Sequence, residues 1–346
     1  MRAAIFNRPG SITVGQRPDA MIVEPTDAVV RVVLACVCGS DLWYYRGDTR
    51  FEPGPIGHEF VGIVEDVGAD VRIVAKGDLV VAPFAYSDGS CPHCLRGITS
   101  ACARGGFIPA GNGDGGQGEA VRVPLADGTL VTVPGSGHPD EIMASLVTLT
   151  DVMCTGHHAA RCARVSTGDT VAVVGDGAVG LCGVLAARRL GAARIVALSR
   201  NPARQGVARA FGATDIIEER GADATAAVLE LTGGVGVDAT LECVGTGQAM
   251  KTALSIARPG SMVGYVGLPH GVEFPVRWMF SRNTGVQGGS APVRAYIPEL
   301  LDDVLDGRID PGRVLDLTTD LDGVAEAYAA MDESRAIKAL LRVGVV

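Results

Sequence analysis

The pattern of hydrophobic positions changes near Gly168. Before that point, short apolar runs rich in valine are separated by glycine and proline turns. Examples are residues 27–37 (DAVVRVVLACV), 60–68 (FVGIVEDVG) and 77–84 (GDLVVAPF). Such runs, bounded by turn residues, are typical of strands. We therefore predict an irregular, largely antiparallel β domain up to about residue 150.

After Gly168, apolar strands alternate with helical patterns. The pattern predicts strands at 170–175, 194–199, 215–219, 237–245 and 260–268, with helices at 178–191 and 202–212. This alternation indicates an α/β fold with a doubly wound parallel sheet.

The last part of the chain loses this rhythm. After about residue 290, the pattern predicts two helices, at 295–307 and 321–333, and a final strand at 336–344. We expect this tail to return to the first domain. The predicted organisation is a β domain at 1–153, an α/β domain at 154–288 and the returning tail at 289–346.

Composition narrows the class of protein. The chain has 346 residues, of which 47% are hydrophobic and 20% charged, which is enough to bury two cores. A net charge of −9 argues against a nucleic-acid partner. The sequence has no apolar run of transmembrane length and no secretory pattern near residue 1. We therefore expect a cytoplasmic protein without a membrane partner.

A glycine motif follows the first strand of the predicted parallel sheet. Gly175, Gly177 and Gly180 have the GxGxxG spacing, and Ala178 and Val179 open the helix between them. These glycines permit a tight turn, close approach to a pyrophosphate and packing of the helix on its strand. The helix N-terminus adds a partial positive charge. The motif predicts a dinucleotide site.

The end of the second strand bears on which dinucleotide binds. NAD sites usually carry an acidic residue there for the ribose 2′-hydroxyl, but this chain has Ser199 and Arg200, with Arg204 four positions later. Serine and arginine side chains bind a 2′-phosphate. We therefore expect NADP rather than NAD. Alternatively, the two arginines form only a solvated helix start.

Two groups of residues offer metal donors. Cys38, His58, Glu59 and Asp151 suit zinc, but their spacing alone does not bring them together. Cys91, Cys94 and Cys102 are closely spaced, yet tetrahedral zinc requires a fourth donor.

The chain resembles the zinc-dependent medium-chain alcohol dehydrogenases over nearly its whole length. The resemblance rests on CGSD (38–41), GHEFVGIVEDVG (57–68), the CxxC loop (91–94), GDGAVG (175–180) and AIKALLRV (336–343). It implies a GroES-like catalytic domain split around a Rossmann domain. It also implies an oxidoreductase that transfers a hydride between an alcohol and a nicotinamide dinucleotide, with zinc polarising the substrate oxygen; the residues after the second strand predict that this dinucleotide is NADP. The substrates would be small alcohols, aldehydes or ketones.

The resemblance also implies roles for single residues at the catalytic centre. Cys38, His58 and Asp151 would hold a catalytic zinc ion, with Cys154 as another candidate for the third ligand. Glu59 would exchange with substrate or water. Ser40 would pass on the alcohol proton, although Trp43 stands where many relatives have a histidine that ends this relay.

Further roles are implied outside the catalytic centre. In the family's structural-zinc lobe, the first ligand position falls on Asp88, which would complete the set with Cys91, Cys94 and Cys102. The lobe could also be empty, with His93 or water disturbing the set. Cofactor contacts are expected at Val244, Val266, Gly267, Leu268 and, on the pyrophosphate, Lys338.

Other functions remain open at this point. An NAD-dependent polyol or sugar dehydrogenase of the same family is disfavoured by the missing acidic residue. A zinc-free quinone or enoyl reductase would lack the donor set, and a noncatalytic zinc- and nucleotide-binding module is a further alternative. The resemblance implies a homodimer or homotetramer that pairs through the strand edge near GYVGLP (264–269) and GVQGG (285–289).

Overall fold

The chain forms two compact units in a computed structural model that describes residues 1–109 and 113–345. One unit comprises residues 1–154 and 292–346, and the other comprises residues 155–291. The boundaries predicted from the sequence, after residues 153 and 288, lie near these limits. They remain a prediction about independently folding domains.

Strands dominate the first unit and alternate with helices in the second. The strands are β1 (Arg2–Arg8), β2 (Ser11–Gln16), β3 (Ala28–Cys36), β4 (Gly54–Pro55), β5 (Glu59–Val67), β6 (Leu79–Ala82), β7 (Ala85–Tyr86), β8 (Gly106–Phe107), β9 (Ala120–Val123), β10 (Val131–Thr132), β11 (Thr170–Val174), β12 (Arg194–Leu198), β13 (Asp215–Ile217), β14 (Val237–Glu242), β15 (Ala257–Tyr265), β16 (Gly285–Gly288), β17 (Leu317–Asp320) and β18 (Ala339–Arg342). The helices are α1 (Asp41–Arg46), α2 (Ala126–Thr129), α3 (Asp140–Thr148), α4 (Val152–Cys162), α5 (Ala178–Arg189), α6 (Pro202–Phe211), α7 (Gly221–Leu231), α8 (Gly247–Ile256), α9 (Val276–Arg282), α10 (Val293–Leu305) and α11 (Val324–Asp332).

The largest sheet of the first unit places the returning tail beside the long strand β3. Its order is β10-β6-β5-β3-β18-β17, and β9 also pairs with β3. β3 and β5 are antiparallel, with Cys36 opposite Glu59, and β18 pairs antiparallel with β3. Apolar side chains from these strands and from α11 form one buried core. The carboxyl end of β3 and the start of β5 therefore lie side by side, and β18 of the returning tail lies next to β3.

The second unit is built on a six-stranded sheet in the order β13-β12-β11-β14-β15-β16. All of its pairs are parallel. The strand order reverses between β11 and β14, and ligands of such sheets bind at the carboxyl ends of the strands next to this point. The glycine motif begins one residue after β11, so it lies at this edge.

Helices α7, α8 and α9 lie where the sequence analysis assigned no element. α7 begins at Gly221 without a side-chain cap, and none of the residues of α9 is buried, so neither has a strong helical signature. β15 begins three residues before the predicted strand, because Ala257 pairs with Val237 ahead of an irregularity in the register. Among the described residues, no helix has the length and hydropathy needed to cross a membrane.

Candidate metal and nucleotide sites

Four potential metal ligands converge at the end of β3 in the first unit. One donor atom from each of Cys38, His58, Glu59 and Asp151 lies within 4.8 Å of the others. Asp151 Oδ2 is 3.4 Å from Cys38 Sγ and 3.3 Å from His58 Nε2. The register of β3 and β5 brings the two strand ends together, and Asp151 enters between α3 and α4. We name these four residues the first donor cluster.

Glycine at position 57 allows the chain to bend just before His58. Gly57 has a φ of +92°, which favours glycine, and a Cβ atom there would meet Gln117 Cγ at 2.4 Å. Gln117 Nε2 in turn donates to the Cys36 carbonyl at 3.0 Å. The side chain of Gln117 therefore fills the space that the missing Cβ leaves beside the first donor cluster.

A buried polar network holds the ligands of the first donor cluster in place. Asp41 Oδ1 lies 3.4 Å from His58 Nδ1, and Asp41 Oδ2 accepts from the Cys38 amide at 3.0 Å. Gln117 Nε2 donates to Asp41 at 3.3 Å, and the Tyr328 hydroxyl donates to Gln117 Oε1 at 3.0 Å. Sequence reasoning gave these supports no role. The position of Asp41, three residues after Cys38 in the same motif, was the only signal available.

Electrostatics in the first donor cluster favour a bound cation. Burial raises the pKa of the Cys38 thiol, and the nearby Glu59 and Asp151 carboxylates raise it further. Burial would lower the pKa of His58, but Asp41 and Cys38 bring it well above its usual value. A thiolate and a neutral imidazole, the forms that ligate metals, therefore require a positive charge among these donors. The donor types suit zinc.

Glu59, which we expect to exchange with substrate or water as a zinc ligand, is paired with Lys338. The Lys338 ammonium donates to Glu59 Oε2 and, at 3.1 Å, to the Val37 carbonyl, and its side chain is 1% exposed. Burial would lower the pKa of Lys338, but Glu59 raises it above its usual value, and the two acceptors keep the nitrogen charged. These contacts differ from the expected contact of Lys338 with a cofactor pyrophosphate. The buried carboxylate and ammonium carry opposite charges at short distance, which holds the Lys338 side chain at Glu59.

The other predicted residues of the catalytic centre lie close by in the chain. Ser40 precedes the first residue of α1 and is partly exposed, and Trp43 lies on α1. The Cys154 thiol donates to the Leu149 carbonyl at 3.1 Å, and the first donor cluster contains Asp151 instead. The Phe84 ring lies edge-on to His58 with 6.1 Å between centroids. An aromatic wall therefore borders the imidazole.

A second donor cluster forms at residues 88–102. Asp88, Cys91, Cys94 and Cys102 each offer a donor atom within 4.8 Å of the others, whereas His93 is exposed and outside the group. Cys91 Sγ lies 3.5 Å from Cys94 Sγ and 3.9 Å from Cys102 Sγ. Such a closed set of four donors leaves no position for substrate.

Backbone amides and an arginine surround the donors of the second cluster. Asp88 Oδ1 accepts from the amides of Ser90 and Cys91, and Asp88 Oδ2 accepts from Arg104 Nε at 2.7 Å. Although burial opposes it, these donors hold the pKa of the Asp88 carboxyl well below its usual value. The amides of Ala103 and Cys94 lower the pKa of the Cys91 thiol to about 7. Both pKa shifts favour the anionic forms in which these two side chains bind a metal.

The glycine motif of the second unit forms a tight turn into α5. Gly175 has a φ of +115°, and a Cβ atom at Gly180 would meet the Gly175 carbonyl oxygen at 2.0 Å. A Cβ at Gly177 would meet no atom of the described residues within 4 Å. α5 begins at Ala178 without a side-chain cap, so the amides of its first turn, including that of Val179, point outward for a ligand. A glycine turn of this kind at a helix N-terminus is where pyrophosphates bind in dinucleotide-binding folds.

Four of the other predicted cofactor residues lie in two adjoining loops. A Cβ at Gly245 would meet the Leu268 carbonyl at 2.1 Å, which leaves the loop of Val244 in contact with the loop of Gly267. Glu242 joins them: its carboxylate accepts from the Val244 and Gly245 amides, and its carbonyl accepts from the Val266 amide.

Val244 and Leu268 expose apolar side chains at this edge of the sheet. Gly175 lies beside Val244, since a Cβ there would meet Val244 Cγ2 at 2.8 Å. Sequence reasoning did not predict the organising role of Glu242, because a single glutamate at a strand end carries no motif.

Ser199 and Arg204 meet an acidic residue of the glycine turn. Asp176 Oδ2 accepts from the Ser199 hydroxyl at 2.8 Å, and Asp176 Oδ1 accepts from Arg204 Nη1 at 3.2 Å. Arg200 is exposed. Asn201 caps α6 by accepting from the amides of Ala203 and Arg204, which sets the position of Arg204.

Comparisons with known proteins agree with this architecture. Residues 24–135 match the alcohol dehydrogenase GroES-like domain and residues 178–306 match the zinc-binding dehydrogenase domain. The chain is 36% identical over 333 residues to a "probable zinc-binding alcohol dehydrogenase" of Mycobacterium tuberculosis, covering 95% of this chain and 85% of that protein. It is 33% identical over 321 residues to the NADP-dependent isopropanol dehydrogenase of Thermoanaerobacter brockii, covering 89% and 90%.

A solved structure is similar over the whole chain. The alcohol dehydrogenase TADH from Thermus sp. ATN1 superposes with a TM-score of 0.91 at 34% identity, covering 99% of this chain and 100% of that one. These matches confirm the GroES-like and Rossmann folds expected from the sequence. The chain belongs to the zinc-dependent medium-chain dehydrogenase family.

Proposed function

We propose that the chain is a zinc-dependent alcohol dehydrogenase or carbonyl reductase that transfers a hydride between a small alcohol and NADP. The convergence of Cys38, His58 and Asp151 together with Glu59 is the observation that carries this proposal. Three ligands with an additional exchangeable carboxylate are the donor set of a catalytic zinc site that remains open to substrate.

The residues of the first donor cluster would each have a defined task. Bound zinc would supply a Lewis acid that polarises the oxygen of the alcohol or carbonyl. Asp41 orients the imidazole of His58 through Nδ1 and leaves Nε2 as the ligating atom. Lys338 holds Glu59 back by pairing with its carboxylate. Cys38, His58 and Asp151 therefore supply the permanent ligands.

Ser40 would hold the proton that moves during turnover. Its hydroxyl lies two residues after Cys38 in the chain, and it is partly exposed. A hydroxyl both donates and accepts, so it can take a proton from the substrate oxygen and pass it outward. The Phe84 ring beside His58 gives this side of the site an apolar border.

The preference for NADP rests on the residues after β12. Arg200 is exposed, and a guanidinium forms strong bidentate contacts with a phosphate. The relative from Thermoanaerobacter brockii is described as NADP-dependent, which supports the same choice here. The second donor cluster would hold a structural zinc ion, because all four of its donors are committed to one closed site.

The proposal is tested by measuring NADPH oxidation across a panel of ketones and aldehydes, with and without a chelator. We expect turnover that the chelator abolishes. Asp151→Ala should lose catalytic zinc and activity by at least about 100-fold while keeping its melting temperature, because one of three ligands is gone. Asp140→Ala, which removes an exposed carboxylate from the same unit, should remain active.

Two results would contradict parts of this proposal. Activity retained in Asp151→Ala would move the third ligand to Cys154. Zinc-bound protein that turns over no member of the panel would favour a noncatalytic binding module.

A further inference from the structure

The glycine turn of this chain contains a carboxylate that the dinucleotide motif does not require. Asp176 stands between Gly175 and Gly177, and its two oxygens accept from the Ser199 hydroxyl and from the Arg204 guanidinium. Ser199 is buried, and the side chain of Asp176 is 23% exposed. Two of the side chains that the sequence analysis assigned to a cofactor phosphate, those of Ser199 and Arg204, therefore donate to this carboxylate instead.

Parallel pairing explains why these residues meet. Val174 pairs with Leu198, so the turn after β11 and the residues after β12 leave the sheet side by side. In dinucleotide-binding folds, an acidic residue after the second strand binds the ribose 2′-hydroxyl. Ser199 has that position here, and its hydroxyl donates to Asp176. A carboxylate therefore reaches the same place from the neighbouring turn.

Arg204 adds a second reason for the position of Asp176. It lies in the first turn of α6, where the helix dipole disfavours a positive charge. Its ion pair with Asp176 compensates for this cost. Asp176, Ser199 and Arg204 together therefore carry no net charge. Arg200 is the nearby residue that adds a positive charge for a phosphate.

We infer that Asp176 is a specificity-determining residue that supplies the acidic group missing after β12 and limits the preference for NADP. The inference rests on the proposed nicotinamide dinucleotide cofactor. The 2′-hydroxyl of NAD would donate to the Asp176 carboxylate. A 2′-phosphate, with about two negative charges, would be attracted by Arg200 and Arg204 but repelled by Asp176. The chain would therefore bind both cofactors, with Arg200 and Asp176 acting in opposite directions.

The inference is tested with cofactor fragments on the full-length protein, since binding of a fragment does not depend on catalysis. Dissociation constants are measured by calorimetry for adenosine 2′,5′-bisphosphate and for 5′-AMP, and also for NADP⁺ and NAD⁺. In the unmodified chain we expect the two fragments to differ by less than about tenfold, equivalent to 1.4 kcal/mol.

Removal of the carboxylate should change the ratio of the dissociation constants of the two fragments. Asp176→Asn and Asp176→Ser should each shift the ratio toward the 2′-phosphorylated ligand by about tenfold, because repulsion is lost while both arginines remain. Arg200→Ala should shift it the opposite way. The matched control is Asp238→Asn, because Asp238 also accepts from one arginine and one further donor but lies in β14 near its amino end. That variant should leave the ratio unchanged.

Several outcomes would overturn the inference. One is a preference for the bisphosphate above about 100-fold in the unmodified chain, which requires no variant and so is independent of folding. Another is an equal change for both fragments in folded Asp176→Asn, which would make Asp176 a structural support only. If neither dinucleotide binds the unmodified protein, the proposed function itself fails, and this result is distinct from an unchanged ratio.

Discussion

Single residues act in this chain through partners that are distant in sequence. Cys38 and Asp151 are 113 positions apart, and Glu59 and Lys338 are 279 apart, yet each pair is in hydrogen-bonding contact. Asp88 is closer to its partner Arg104, 16 residues later. The chemistry of a donor is readable from its residue type, whereas its environment depends on the packing of segments far along the chain.

Asp88 gives the first prediction at this scale. If it is the fourth ligand of a structural zinc ion, metal analysis of the unmodified protein should find about two zinc ions per chain. Asp88→Ala should retain about one, because three thiolates without the carboxylate leave the site open to water and chelator. Arg96→Ala, which removes an exposed charge from the same loop, should retain two.

A count of one zinc ion in the unmodified chain would contradict this prediction and indicate an empty lobe. If Asp88→Ala kept both ions, the fourth ligand would have to be another group.

At the scale of elements, strand positions were easier to predict than helices. The apolar runs identified β3, β5, β11, β12 and β14 because buried parallel or central strands need nearly continuous hydrophobic residues. The sequence analysis did not predict α9, because none of its residues is buried and it therefore has no apolar stripe. The sequence analysis did not predict β17, because its four residues alternate between partly buried and exposed and none of them is buried.

Two helical glycines provide a matched test of close packing. Gly180→Ala should lower the melting temperature and weaken binding of either dinucleotide, because its Cβ would lie 2.0 Å from the Gly175 carbonyl oxygen. A Cβ at Gly206, in the middle of α6, would meet no atom of the described residues within 4 Å beyond its own helix backbone. Gly206→Ala should stabilise the chain by about 0.5–1 kcal/mol, since alanine is the better helix former.

Thermal melting and calorimetric titration with NADP⁺ would measure both effects. A stabilising Gly180→Ala substitution with unchanged affinity would show that α5 does not need this close approach to the glycine turn.

For the whole molecule, the family and the two folds could be predicted from motifs that follow each other in the expected order. The resemblance led to an expected role for Lys338 at the pyrophosphate, and the structure instead shows this side chain buried against Glu59. Asp176 was overlooked although it lies inside the glycine motif, because the pattern GxGxxG treats its position as free. Motifs thus predict which segments matter, while the charges around them depend on the fold.

Assembly is the remaining property at this scale. We propose a homodimer or homotetramer that pairs at the edge of the second unit's sheet, where β16 is the last strand. In the neighbouring helix α9, Val276 is 70% and Phe280 84% exposed. Contact of these apolar side chains with water is unfavourable, and pairing with a second copy would bury them.

Light scattering should therefore find a dimer or tetramer for the unmodified chain. Phe280→Glu combined with Val276→Glu should yield a smaller species, whereas Ile73→Glu, at an exposed apolar residue of the first unit, should not. A monomeric unmodified chain, or a double variant that keeps its oligomeric state, would contradict pairing at this edge.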